Sequence, residues 1–204
     1  MQLNIKNYIT ESPKSQNQIE FFKFNYFLVL TVEATMPIWY NYERGRSEKM
    51  TTCTFAGHRE VYQGGVGADI DAAIEKLIDQ GDDSFNFLVG GMGEFDGLCS
   101  GAVRGAKRRH PEKQITLSLV LPYLTHDLNE NKEYYSVLYD EIIVPMELAG
   151  IHYKKAITAR NRWLIDQSDF LIAFVMRDFG GAYSTLKYAE KKNLEIINIA
   201  RKSV

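Results

Sequence analysis

The residues with the clearest capacity for chemistry are glycines gathered in three short stretches. These are Gly57-His58-Arg59, Gly90-Gly91-Met92-Gly93-Glu94-Phe95-Asp96, and Asp178-Phe179-Gly180-Gly181-Ala182-Tyr183-Ser184-Thr185. Each follows an apolar, strand-like run. Glycine admits positive φ and lets backbone N–H groups approach a ligand closely. The first turn of a following helix offers unpaired N–H groups and the positive end of its dipole. Such a turn cradles an anion, phosphate above all. Glycines in these places also make tight turns and nothing more, but two double-glycine turns and a Gly-His-Arg at one sheet edge favour binding.

The neighbouring side chains extend that chemistry. Arg59 presents a planar fork of donors that fits phosphate oxygens; a surface ion pair is its competing role. His58 offers a ring nitrogen to a ribose or base edge. Ser184 and Thr185 are expected to add hydroxyl donors at the Gly180-Gly181 turn. Glu94 and Asp96 either complement the dipole of the helix they open or face the pocket, where they bind ribose hydroxyls or a cation. Arg160-Asn161 lies on a helix whose core stripe contains Ile157 and Leu164, so Arg160 sits beside the stripe. His110, His126 and His152 carry no assignment, and no ligand spacing points to a metal.

The elements that position these residues alternate from Thr51 onward. Thr52 to Gly57 reads as a strand and Asp69 to Gln80 as a helix, with Ile70, Ala73, Ile74, Leu77 and Ile78 on one face and Gly81 as its cap. Phe85 to Val89 is a strand, Phe95 to Arg109 a helix closed by Lys107, Arg108 and Arg109, and Ile115 to Leu121 a third strand. Between Thr125 and Gly150, Asn129 to Asn131 reads as an exposed loop, and Ile142 to Val144 as a short strand or a pocket wall. Lys154 to Gln167 is a helix, and Phe170 to Met176 is a continuous apolar run of the kind a doubly buried parallel strand requires. Tyr183 to Lys192 is a helix and Leu194 to Ile199 a last strand. The rhythm predicts an α/β, Rossmann-like parallel sheet with helices on both faces. Ligands bind such sheets outside the carboxyl ends of the strands, where strand order reverses, and the three glycine stretches should meet there.

The bulk numbers narrow the function. Of 204 residues, 45% are hydrophobic and 25% charged, ordinary values for a globular chain. A formal net charge of -2 leads us to expect neither nucleic acid nor an anionic membrane as partner, although a net charge does not weigh a local basic patch. Cys53 and Cys99 have no ligand or disulfide spacing and read as buried, reduced thiols, which fits a cytoplasmic protein. The apolar stretch Phe21 to Tyr40 is broken by Lys23, Asn25, Glu33 and Pro37, short of the ~20 residues a bilayer demands. It lacks the charged start and cleavage site of a signal peptide.

Residues 1–49 differ in composition, being rich in Asn, Ile, Lys, Phe and Tyr with one glycine, Gly45. Phe21 to Val32 has the composition of a strand that could add to a sheet edge. Alternatively, Met50 is the native start: Glu43, Arg44, Gly45, Arg46, Glu48 and Lys49 are what purine-rich, ribosome-binding codons would encode. The domain expected by either reading spans 50–204.

The span Ala156 to Thr185, which contains RNRWLIDQSDFLIAFVMRDFGGAYST, resembles the SLOG superfamily, which includes the LOG phosphoribohydrolases, DprA and YpsA-like proteins. TCTFAGHRE and FLVGGMGEFDGL are closest to the YpsA-like branch, and the resemblance covers about Thr51 to Ile199. It implies a Rossmann-like fold, a nucleotide or nucleotide-derived ligand (including an NAD- or ADP-ribose-derived one), and a homodimer. LOG enzymes carry an arginine before the strand, matched by Arg160, and a GG-x-GT-x-x-E turn after it, approximated by Gly180-Gly181 with Thr185. The turn here is one residue longer, and Leu186 or Lys187 stands nearest the catalytic glutamate. Three readings follow. The first is a sensor or regulatory domain that binds a nucleotide through Gly57, His58, Arg59, Gly90, Gly91, Gly93, Glu94, Asp96, Arg160, Asn161, Gly180, Gly181, Ser184 and Thr185. The second is a phosphoribohydrolase with Arg160 on phosphate and Glu94 or Asp96 assisting cleavage. The third is an interaction protein in DNA processing or cell division.

Overall fold

The computed structural model describes residues 4–6, 50–80 and 82–200. The expected strand over Phe21 to Val32 and the expected cap at Gly81 lie outside the described residues. Among the described residues seven strands form one all-parallel sheet: β1 (Asn4–Lys6), β2 (Met50–Gly57), β3 (Ser84–Val89), β4 (Gln114–Val120), β5 (Glu141–Ile143), β6 (Phe170–Phe174) and β7 (Glu195–Asn198). Their order is β1-β5-β4-β3-β2-β6-β7. The helices are α1 (Val66–Ile78), α2 (Glu94–Arg109), α3 (His126–Glu130), α4 (Lys132–Leu138), α5 (Tyr153–Asp166) and α6 (Gly180–Lys191), with a short 3-10 turn at Met146–Leu148.

From β2 the chain steps outward through β3, β4 and β5, then crosses back past β2 to β6 and β7. Right-handed crossovers therefore place helices on both faces. Alternating strand residues record it. Phe55, Phe87, Leu117 and Phe174 pack with Ile70, Ile74 and Leu77 of α1 and with Phe95, Cys99 and Val103 of α2. From the opposite face Leu171 and Ala173 meet Leu186 and Ala189 of α6, while Leu88, Val120 and Ile143 meet Leu164 of α5. The Rossmann-like α/β expectation is met. The β2–β6 pair, with Gly57 opposite Phe174, is the switch point.

Three departures from the sequence expectation are the largest. α1 begins at Val66 rather than Asp69, because Gly65 at φ 85 turns the chain in without a side-chain cap to announce it. α6 begins at Gly180 rather than Tyr183, its first turn written in the residue with nearly the lowest helix propensity. The stretch from Thr125 holds α3, capped where the Thr125 hydroxyl accepts the Leu128 N–H at 3.2 Å, and α4, both too short to show periodicity. Ile142 and Ile143 are strand residues, fully buried between β4 and β1, and not a pocket wall. Among the described residues no helix is long and apolar enough to cross a membrane.

Candidate functional site

The loops after β2 and β6 are tied together at the switch point. The Met176 N–H donates to His58 Nε2 at 3.1 Å, and the His58 ring sits edge-on to Phe174 with centroids 6.1 Å apart. Burial, and then the charge of Arg177, push the His58 pKa below its ordinary value, which keeps the ring neutral and able to accept. His58 thus latches the two loops. Gly57 is explained by packing: a Cβ there would lie 2.2 Å from the Phe95 ring, which stacks on Phe174 at 5.7 Å.

The turn after β3 is closed on itself. Gly91 and Gly93 have φ of 67° and 96°, a region glycine alone adopts freely. A Cβ on Gly93 would stand 2.7 Å from Arg59 Cα. That approach lets the Glu94 N–H donate to the Arg59 carbonyl at 2.7 Å, and the Glu94 carboxylate accepts the Val61 N–H at 2.9 Å. Asp96 is buried and accepts the Met92 N–H at 2.8 Å; burial raises its pKa. Two amides of this turn are therefore taken, one by a loop carbonyl and one by a carboxylate. Below the turn Arg160 is 2% exposed, its guanidinium pressed on Gly90, where a Cβ would fall 1.7 Å from Nη1. Nη1 donates to the Val120 carbonyl at 3.4 Å, a weak contact, and Nε has no partner. Burial lowers the Arg160 pKa, and Asp96 opposes that shift.

The turn after β6 is open. Phe179 precedes α6 without capping it through its side chain, and the first turn carries no acidic residue. Nothing lies within 4 Å of a Cβ built on Gly180 or Gly181. The Ser184 hydroxyl donates to the Gly180 carbonyl and that of Thr185 to the Gly181 carbonyl, both at 2.9 Å. Inside a helix such hydroxyls reach the carbonyl four residues back, and these two do so here. Asn161 braces α5 to α6, its Nδ2 donating to Thr185 Oγ1 at 3.3 Å.

Around this open turn, beside the Arg59 already singled out, stand groups the sequence reading passed over. Tyr62 is 79% exposed, Phe179 65% and Met176 52%, and Arg177 and Arg59 are exposed. Arg177 is near enough to act on both His58 and Tyr62 electrostatically, so the loops after β2 and β6 present one surface. Phe179 lies in the glycine stretch already singled out; an aromatic residue next to an uncapped helix start was the available signal. An open helix N-terminus, arginines and exposed rings together suit a phosphate with a flat base attached.

No family model and no curated protein matches the chain. Among solved structures it is similar to DNA processing protein A (DprA) of Streptococcus pneumoniae, at 13% identity and TM-score 0.54, over 72% of this chain and 50% of that one. It is also similar to DNA processing protein A of Helicobacter pylori, solved for its single-stranded DNA binding mode, at 17% identity and TM-score 0.50, over 72% of this chain and 63% of that one. The chain thus spans less than two thirds of either neighbour, and at these identities the likeness is one of fold. It corrects one expectation. The net charge of -2 pointed away from nucleic acid, yet a neighbour with this fold is a single-stranded DNA binder, so overall charge does not exclude that partner.

Proposed function

We propose that the carboxyl edge of β2 and β6 binds the phosphate of a nucleotide carried in single-stranded nucleic acid, in a DNA-processing role. The observation that carries this reading is the start of α6: it has no side-chain cap and no acidic residue in its first turn, and nothing lies within 4 Å of a Cβ at either of its glycines. Backbone N–H groups at Gly180 and Gly181 receive the phosphate, Arg177 adds a cation, and Phe179 and Tyr62 offer faces on which bases stack. The naming of the structural neighbours as DNA processing proteins supports the same reading by analogy. A finer place in the YpsA-like branch of SLOG rests on TCTFAGHRE and FLVGGMGEFDGL.

A sensor for a free nucleotide, or for an NAD- or ADP-ribose-derived ligand, would use the same groups. The phosphoribohydrolase reading has less behind it. Asp96 and Glu94 hold loop amides, Leu186 is buried, and Lys187 pairs with Glu190 at 2.7 Å. The test is fluorescence anisotropy of a labelled oligothymidylate, with AMP as competitor. Phe179→Ala is expected to weaken binding by ~1–3 kcal/mol, the usual worth of one stacked base, and Arg177→Ala to weaken it and flatten its salt dependence. An unbound oligonucleotide would end the nucleic-acid reading, and thermal stabilisation by a free nucleotide would then favour the sensor. Free base released from AMP would restore the enzyme.

A further inference from the structure

Charge is unevenly spread along the chain. Residues 151–192 hold eight Lys and Arg against four Asp and Glu, out of 24 and 26 in all, leaving 16 against 22 elsewhere. The excess falls on α5 and α6. These helices lie side by side: Asn161 reaches Thr185, the Tyr188 hydroxyl donates to the Asp166 carboxylate at 3.0 Å, and Lys192 pairs with Asp166 at 2.6 Å. On α5 the exposed positions Lys155, Thr158, Arg162 and Asp166 recur at helical spacing, and on α6 Lys187 and Lys191 are exposed. Cations sit over rings: Arg162 and Lys192 over Tyr188 at 5.4 and 5.3 Å, and Lys187 over Tyr183 at 5.6 Å. Lys187 and Lys192 also have carboxylate partners. Lys155, Arg162 and Lys191 have none among the described residues.

Both helices start at the carboxyl edge and run back along the sheet, so the cations extend from that edge over about 18 Å, the length of a 12-residue helix. We propose that the exposed face of α5 and α6 is a second contact surface, a track for the sugar–phosphate backbone of a single strand whose other part occupies the edge. The inference rests on the nucleic-acid reading of that edge. It commits to a polyanion rather than a folded protein because of what the face lacks. Apart from Tyr153 at its start, no large hydrophobic residue of α5 or α6 is exposed, and protein interfaces are anchored by such residues. Unpaired cations and cation-bearing rings are what a flexible, evenly charged strand engages.

The experiment compares a labelled 30-nucleotide oligothymidylate with a labelled trinucleotide, each titrated across salt, on the full chain. The charge-reversed variant Lys155→Glu/Arg162→Glu/Lys191→Glu should bind the trinucleotide within about twofold of wild type and the 30-mer at least tenfold more weakly. Its log–log salt slope for the 30-mer should fall by ~2, the single-strand value for three lost phosphate contacts. A Gln triple at the same positions, which adds no repulsion, should show the same loss of slope and guards against misfolding of the Glu variant. An unchanged 30-mer affinity and slope in the Gln variant overturn the track while leaving the edge site standing. Equal displacement of the 30-mer by polyglutamate also overturns it. If wild type binds neither length, the edge reading and the track fall together.

Discussion

Gly57 and Gly181 look alike in the sequence, each a glycine between strand and helix, yet they face opposite surroundings. A Cβ at Gly57 would meet the buried Phe95 ring at 2.2 Å, whereas one at Gly181 meets nothing within 4 Å. Gly57→Ala should therefore cost ~1–3 kcal/mol, the range for overpacking a filled core, read as a lower urea midpoint at unchanged m-value. A midpoint equal to wild type would show that Phe95 yields. His58 is the other residue whose surroundings, rather than its type, set its part. Its folded pKa is lowered, first by burial and then by Arg177. A base with a lowered folded pKa contributes fully above its unfolded value, about 6.5, and that contribution is lost as pH falls below it. Protonation also removes the acceptor for the Met176 N–H. Wild type should therefore lose more thermal stability between pH 7 and 5 than His58→Gln does. The comparison matters because His110, raised by its hydrogen bond to Glu75, acts with the opposite sign in both proteins. Equal losses would remove the latch. Residue types thus singled out these loops, while the division of labour within them depends on which amides are already engaged.

Two helix starts at the same sheet edge differ in how they are filled. α2 opens with Glu94 and Asp96, both bonded to loop amides, so that end of its dipole is already answered by carboxylates of the chain. α6 opens with two glycines and no acid. Gly181→Asp should supply α6 with its own anion, stabilising the fold by ~0.3–1 kcal/mol through the dipole while abolishing oligonucleotide binding. Gly181→Ala should keep or raise the melting temperature and weaken binding, since a methyl group enters the open space. If binding survives Gly181→Asp, the phosphate lies elsewhere. The strands and long helices were legible because their apolar periodicities are long and unmixed: six buried positions at helical spacing mark α1. The start of α6 was not, because glycine reads as loop. α3, at five residues, is settled by a Thr125 cap and the burial of Leu128, neither of which leaves a period in the sequence, and α4, at seven, buries no residue that could leave one.

At the scale of the whole chain, an average concealed what mattered: a net charge of -2 hides a basic segment set against an acidic remainder, and only the pairing of α5 with α6 places those cations on one face. The N-terminal residues pose the opposite problem. Asn4–Lys6 forms the edge strand, pairing in parallel with Glu141–Ile143 through three residue positions, while among the described residues the other six strands, both core faces and the candidate site lie from residue 50 onward. Three ladder positions at one edge are a small part of a sheet whose central strands β2, β3 and β4 are paired on both sides. A chain spanning 50–204 should therefore fold cooperatively and bind oligothymidylate as the full chain does. Its cost is exposure of β5, whose Ile142 and Ile143 are buried in the full chain. An uncovered edge strand invites pairing between molecules, so the shortened chain should aggregate at lower concentration, and Ile142→Lys should suppress that. Circular dichroism melts, anisotropy and light scattering on the two lengths decide it. An unfolded 50–204 product would make the early residues an integral part of the domain and would rule out Met50 as its start.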